Sequence, residues 1–134
     1  MKKIICIILS IVTVIALAGC SNSGKTEGAK IDIGESKLYS DEDRQTATDI
    51  ILAEVEGGFE GIKVLYNIRY GGDKASLEEK GYDGCDEVMV FYSDFKTVRS
   101  PSKAGGFNTN MKYDDWNWIL GKKDGKWQLL TWGY

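Results

Sequence analysis

The amino-acid sequence predicts an α+β domain in which one long N-terminal helix packs on an antiparallel sheet of about four strands, ending in a C-terminal β-hairpin. Three observations support this prediction: a capped helical segment at 40–56, an alternating apolar segment at 62–70, and an Asp-Gly turn signal at 124–125. All fifteen aromatic residues of the 134-residue chain lie from Tyr39 onward. The hydrophobic core must therefore be built from this part of the chain.

The predicted helix begins at Ser40, whose side-chain oxygen suits the N-cap position because it can accept a hydrogen bond from a backbone N–H of the first turn. Acidic residues at 41–43 follow, where the helix dipole favours negative charge. Gly57-Gly58 ends the segment. Its apolar residues recur at near-helical spacing: Ala47, Ile50, Ile51, Ala53 and Val55.

Two strands and a short helix are predicted next. Apolar and polar residues alternate over 62–70, broken only by Leu65, which predicts a strand with one buried face. Residues 74–80 can form two helical turns, and the apolar run 88–92 predicts a central strand covered on both faces, with its exit at Ser93-Asp94. The side chains expected on the buried face of the first strand are Ile62, Val64, Tyr66, Ile68 and Tyr70.

The C-terminal hairpin turns at Asp124-Gly125. A type I turn followed by a left-handed glycine would place Trp116 opposite Trp132 and Trp118 opposite Leu130, whereas a two-residue turn would place Trp118 opposite Thr131. In the first register one face carries Trp116, Trp118, Leu120, Leu130, Trp132 and Tyr134, and the other carries Ile119, Trp127 and Leu129.

The first twenty residues have the pattern of a secretory signal. Lys2 and Lys3 precede an uncharged apolar run, 4–18, that is too short to cross a bilayer comfortably. The run ends in Leu17-Ala18-Gly19-Cys20, which resembles the lipobox of bacterial lipoproteins. The resemblance implies that Cys20 is acylated and the chain cut before it, which gives a lipid anchor on the extracytoplasmic face of the cell membrane. An uncleaved anchor helix is the alternative.

This interpretation divides the chain into a signal peptide at 1–19, a lipidated cysteine and flexible tether at 20–38, and one domain at 39–134. The element order of the domain resembles the cystatin-like or nuclear-transport-factor-2-like folds. Its tryptophan-rich C-terminal hairpin also resembles small uncharacterised lipoproteins of Gram-positive bacteria. These likenesses imply a location and a fold but no activity.

Composition excludes several chemistries. The chain has no histidine, so Ser-His-Asp triads and histidine-ligated metals are ruled out. Its net charge of −3 argues against nucleic acid as a partner. Cys85 is expected to be a buried apolar residue because its neighbour Asp86 would raise the pKa of the thiol, and a reactive thiol is the alternative. No catalytic residue, metal site or cofactor is predicted.

Two groups of residues remain as candidate binding sites. The first is the aromatic face of the hairpin, which could stack on sugars of a wall glycan or dock a cell-surface protein, unless it is simply core. The second is the basic loop 96–112, which could bind anions or could be a solvated loop. The aromatic candidates are Trp116, Trp118, Trp132 and Tyr134, and the basic candidates are Lys96, Arg99, Lys103 and Lys112.

The sequence therefore predicts a membrane-tethered, extracytoplasmic lipoprotein with a small non-enzymatic binding or accessory domain. The alternative is a small hydrolase of cell-wall material. That enzyme would need two carboxyl groups held across a cleft, one of them with a raised pKa.

Overall fold

The computed structural model describes residues 25–134, so the predicted signal peptide at 1–19 and the acylation site Cys20 lie outside the described residues. Within 25–134, no helix is both long and apolar enough to cross a membrane. The regular elements are β1 (Lys30–Asp32), α1 (Asp41–Gly58), β2 (Ile62–Tyr70), α2 (Asp73–Glu78), β3 (Val88–Thr97), β4 (Lys112–Lys123) and β5 (Lys126–Gly133), with 3₁₀ turns at Tyr82–Gly84 and Pro101–Lys103.

The five strands form one mixed sheet in the order β1-β2-β3-β4-β5. The prediction of an α+β fold with one main helix is confirmed, but an antiparallel sheet of four strands behind an N-terminal helix is wrong. Strand β1 precedes α1 and pairs in parallel with β2, from Lys30 opposite Asn67 to Asp32 opposite Arg69. All three residues of β1 are exposed, so it has no hydrophobic alternation that a sequence pattern could reveal.

Residues 25–38, which the sequence assigns to the tether, lie against the domain. The backbone N–H of Leu65 donates to the carbonyl of Lys25 at 2.7 Å. The buried guanidinium of Arg44 donates to the carbonyls of Ile33 and Gly34, which fixes the chain between β1 and α1. These backbone groups are satisfied by partners far along the sequence.

Helix α1 forms as predicted from its N-terminal signals. The Ser40 Oγ accepts a hydrogen bond from the backbone N–H of Asp43 at 3.0 Å, and the acidic residues occupy the first turn. The helix ends in Gly57 and Gly58, and its buried apolar residues are Ala47, Ile51 and Val55.

The sheet buries a core on each face. The larger core lies under α1, and a smaller one lies under α2 and contains the free cysteine Cys85, which is buried as expected. The fully buried members of the larger core include Ile51, Val55, Leu65, Ile68, Met89, Phe91, Phe95, Trp118 and Leu120, and the smaller core contains Cys85, Val88, Val90 and Ile119.

Strand β2 has the predicted bounds but not the predicted buried face. Register shifts interrupt its pairing with β3 between Ile62 and Val64 and between Leu65 and Asn67. These bulges break the period of two, because each adds a residue that the partner strand does not match. The buried residues are therefore Ile62, Leu65 and Ile68, and Tyr66 is exposed.

Strand β3 is central and covered on both faces, as the apolar run predicts. Its predicted exit at Ser93-Asp94 is wrong, because the strand continues to Thr97 with Phe95 buried in the larger core. The polar pair does not end the strand because each side chain finds a partner: Ser93 Oγ accepts from Trp118 Nε1 at 2.9 Å, and Asp94 accepts from Asn67 Nδ2 at 2.9 Å.

The hairpin register that we favoured is wrong. Asp124 and Gly125 both have positive φ, 52° and 76°, so the turn is a two-residue turn of the type I′ kind. Beyond it, Leu120 pairs with Leu129, but a register shift then places Trp118 opposite Trp132. The two-residue turn puts Leu129 on the helix face and Leu130 on the other, which reverses the predicted positions of both residues, and the bulge then returns Trp132 to the side of Trp118.

Trp127 also lies on the helix face, with Trp116, Trp118 and Leu120, and not on the opposite face as predicted. The remaining members of the predicted aromatic face, Trp132 and Tyr134, pack on rings of the helix side.

Candidate functional site: an aromatic groove

A groove of about 640 Å³ opens where α1 ends, between the start of β2, the loop after β3 and the C-terminal strands. Three distant parts of the chain meet there: residues 57–61, residues 105–107 and the aromatic ends of β4 and β5. Its lining residues are Gly57, Gly58, Phe59, Glu60, Gly61, Gly105, Gly106, Phe107, Tyr113, Trp116, Trp132 and Tyr134.

Two Gly-Gly-Phe triplets, 57–59 and 105–107, form one side of the groove. Their phenylalanine rings lie 6.0 Å apart between centroids. The loop approaches the start of β2 so closely that a Cβ on Gly61 would lie 2.0 Å from the Ala104 carbonyl oxygen. Glycine is therefore required at this contact, and the glycines leave backbone exposed along the groove wall.

Large rings form the other side. Trp132 is 45% exposed and meets Phe59 edge to face at 5.1 Å between ring centroids. Tyr134 is 77% exposed; its ring lies nearly parallel to that of Tyr113, at 6.0 Å, and at 5.4 Å from that of Trp116. These are the exposed flat surfaces that stacking against a ligand requires.

Trp116 carries a buried polar atom that has no protein partner. Its indole Nε1 is one of two buried side-chain N or O atoms within 25–134 that make no hydrogen bond, the other being Arg44 Nε. A buried donor without an acceptor costs about 1–3 kcal/mol. Trp116 lines the groove, but this nitrogen is itself shielded from solvent.

The fourth predicted aromatic residue, Trp118, does not reach the groove. It is fully buried, and its Nε1 donates to Ser93. The sequence therefore identified three of the groove residues, Trp116, Trp132 and Tyr134, and included one core residue. It missed Phe59, Phe107 and Tyr113, although the repeated Gly-Gly-Phe triplet could have indicated that the first two share a role.

The groove carries few charges. Glu60 is the charged residue among those that line it. Desolvation raises the pKa of the Tyr134 phenol, and the nearby Tyr113 and Asp114 raise it further. Because Lys25 Nζ lies beside Glu60 and bonds to the Phe59 carbonyl, the charges at the groove partly balance, which favours a neutral polar ligand.

The four basic candidates do not line the groove. Lys96 and Lys112 are cross-strand partners on β3 and β4, and Lys112 Nζ lies 3.2 Å from Asp114, whose carboxylate raises the pKa of the lysine. Arg99 and Lys103 are exposed on the loop. Of the four basic candidates, the structure thus brings Lys96 and Lys112 together, and Lys112 has an acidic partner.

Asp94 lies behind the aromatic wall, on the outer side of the sheet. Burial alone would raise the pKa of its carboxyl, but hydrogen bonds from Asn67 and the Asp115 backbone, together with Arg69, outweigh burial and lower it. The Asp73 carboxyl also has a lowered pKa, chiefly because the Ser36 hydroxyl donates to it. Both shifts favour the ionised form and oppose use as a general acid at neutral pH.

A second, polar cleft of about 620 Å³ lies beside the N-terminus of α1. Its lining includes the buried Arg44, whose guanidinium already bonds to Asp41 and two backbone carbonyls. This cleft is explained by the attachment of residues 33–37 to the helix. Among residues 25–134, no group of three or more His, Cys, Asp or Glu side chains could hold a metal ion.

Comparison with protein-family models, with curated proteins and with solved structures found no match. The resemblances to lipoproteins and to cystatin-like folds accordingly stay predictions.

Proposed function

We propose that this protein is a lipid-anchored, extracytoplasmic binding domain whose aromatic groove holds a saccharide segment. One observation carries the proposal: the exposed rings of Trp132 and Tyr134 line an open groove together with four exposed glycines, at 57–58 and 105–106. Sugar rings stack on aromatic faces through their C–H surfaces while their hydroxyls need hydrogen-bond partners at the edges. Glu60 and the exposed backbone of the glycines supply such partners.

The membrane anchor comes from the sequence. The Leu17-Ala18-Gly19-Cys20 motif at the end of a signal-like apolar run predicts acylation of Cys20. Two or more acyl chains hold a protein on a bilayer stably, so the acidic domain needs no attraction to anionic lipid.

Titration of the purified full-length protein in detergent with soluble β-1,4-linked N-acetylglucosamine oligosaccharides tests the proposal. We expect saturable quenching or a blue shift of tryptophan fluorescence, because Trp132 is the most exposed tryptophan. The substitution Trp132→Ala should weaken binding by about 5- to 150-fold, since loss of a stacking ring removes about 1–3 kcal/mol.

The matched control is Tyr82→Ala, which removes an exposed ring (39%) that does not line the groove. It should bind like the wild type. Equal affinity of Trp132→Ala and wild type, or no saturable response to any oligosaccharide tested, would contradict the proposal.

The hydrolase stays an alternative prediction that no observation favours. Glu60 is the carboxylate among the residues that line the groove, whereas a carboxylate-dependent glycosidase needs two.

A further inference from the structure

The groove lies beside the point where the chain enters the described domain. Lys25 Nζ donates a hydrogen bond to the backbone carbonyl of Phe59, a residue that lines the groove. The Thr26 N–H and hydroxyl both donate to the Glu56 carboxylate, at 3.1 and 2.5 Å. With the bond from Leu65 to Lys25, these contacts fix the entry point against the end of α1.

Chain length then limits how far the groove can stand from an anchor at Cys20. Only five residue steps separate Cys20 from Lys25. At full extension they span at most about 18 Å. A bilayer has a head-group layer of roughly 5–8 Å on each side of its hydrocarbon. The groove is therefore held near the head groups, whereas polymers farther from the membrane are beyond its reach.

The chemistry of the groove selects among the molecules found at that surface. Glu60 on its wall with Lys25 beside it, and Asp114 beside Tyr134, leave no net positive charge at the groove for a phosphate or another anionic head group. The exposed rings of Trp132 and Tyr134 favour a neutral ring system that can stack on them. A saccharide head group meets both conditions.

We infer that the groove takes the saccharide head group of a glycolipid in the same membrane, rather than a segment of polymerised wall glycan. This inference rests on the proposed function, because it assumes both the anchor at Cys20 and saccharide binding in the groove. What it adds is the source of the sugar, which the short connection between Cys20 and Lys25 determines.

The test uses the acylated full-length protein in phosphatidylcholine vesicles that carry a small fraction of a synthetic glycolipid with a di-N-acetylchitobiose head. Trp132-dependent fluorescence reports occupancy as the glycolipid density rises. A flexible Gly-Ser spacer of about twenty residues, inserted after Ser23, should raise the half-saturating density several-fold, because a longer connection lets the groove stand farther from the head groups for more of the time.

The spacer variant and the wild type should bind the free disaccharide equally in detergent. Failure of this free-sugar binding in both proteins would overturn the proposed function itself. If both proteins bind the free sugar normally, two results would overturn only the inference about the source. One is no response to the glycolipid. The other is glycolipid binding by the spacer variant that is unchanged or tighter. The same fluorescence change in vesicles without glycolipid would overturn it too, since the bilayer surface would then be the occupant.

Discussion

Trp127 and Trp132 stand at opposite ends of β5, on the same side of the sheet, and their surroundings differ sharply. Trp127 is 9% exposed, its Nε1 donates to Asp43 at 3.1 Å, and Tyr39 packs against it edge to face at 5.4 Å. Trp132 is 45% exposed and meets the ring of Phe59 alone. We call the surroundings of Trp127 the closed end of β5 and those of Trp132 the open end.

The difference lies in what the helix provides at each end. The first turn of α1 brings Asp43 to the closed end as an acceptor for an indole N–H. At the other end the helix terminates in Gly57 and Gly58, which have no side chains to cover the sheet. The same residue type is therefore core at one end and surface at the other, and a count of tryptophans does not distinguish the two.

Replacing each tryptophan in turn should give the largest difference in stability between the two ends. Trp127→Ala should lower the free energy of unfolding by about 3–5 kcal/mol, because it empties a packed site. Trp132→Ala should lower it by only about 1 kcal/mol, because half of that side chain already faces solvent. Urea denaturation of both variants measures these values.

The substitution with the smaller effect on stability should have the larger effect on oligosaccharide binding. Trp132→Ala should weaken binding, whereas Trp127→Ala should leave it unchanged under conditions where the variant is folded. Equal destabilisation by the two substitutions would show that the open end is packed as tightly as the closed one.

The open end should also respond to a change in its glycine wall. Gly61→Ala places a methyl group 2.0 Å from the Ala104 carbonyl oxygen, so the loop 98–111 must move away from β2. We expect a loss of about 1–3 kcal/mol in urea denaturation, as overpacking typically costs. Gly57→Ala is the matched control, because nothing lies within 4 Å of the added atom. Equal stability of the two variants would mean that the wall is not closely packed.

Acid should lower the stability of the protein by protonating Asp94, which lies on the opposite side of the sheet from the groove. The Asp94 carboxylate accepts the backbone N–H of Asp115, at the bulge that precedes Trp116. Because its pKa is lowered on folding, the group stabilises the protein above its unfolded pKa, and this contribution is lost as pH falls through the folded pKa. We expect Asp94→Asn to be less stable than wild type at neutral pH and to show a smaller further loss between about pH 5 and pH 2.

Urea denaturation across that pH range measures the difference. Asp49→Asn, on the exposed side of α1, is the control and should follow the wild-type profile. Parallel pH profiles for wild type and Asp94→Asn would contradict this role of the carboxylate.

A smaller effect than that of Trp127→Ala is expected from a second substitution at the closed end. Asp43→Ala removes the acceptor of Trp127 Nε1 and an acid of the first helical turn. We expect a loss of about 1–2 kcal/mol in the free energy of unfolding. Fluorescence of Trp127 should also become more accessible to acrylamide. No change in either measurement would show that packing against Tyr39 alone closes this end.

The sequence predicted the elements whose signals are local. The Ser40 cap, the apolar run of β3 and the Asp124-Gly125 turn each act through near neighbours. The hairpin register was not predictable in the same way, because one bulge between Ile119 and Leu120 changes every pairing beyond it. A single sequence contains no local mark of that bulge.

The groove was predictable only in part. Exposed tryptophan and tyrosine near the C-terminus could be proposed from the hairpin, but their exposure depends on where α1 stops. The phenylalanines of the groove lie 48 positions apart, at 59 and 107, and meet through a loop that contacts Gly61. Such a contact is set by the tertiary fold, and β1 was missed for the same reason.

The bonds at Lys25 and Thr26 also have a mechanical consequence. Any force that travels along the chain from residue 20 toward the domain first loads these bonds, one of which holds Lys25 to strand β2. Next in line is β1, an edge strand of three residues with exposed side chains. A pull on the proposed anchor would therefore load the contacts of Lys25 and Thr26 with α1 and β2 first, and β1 only once those contacts had given way.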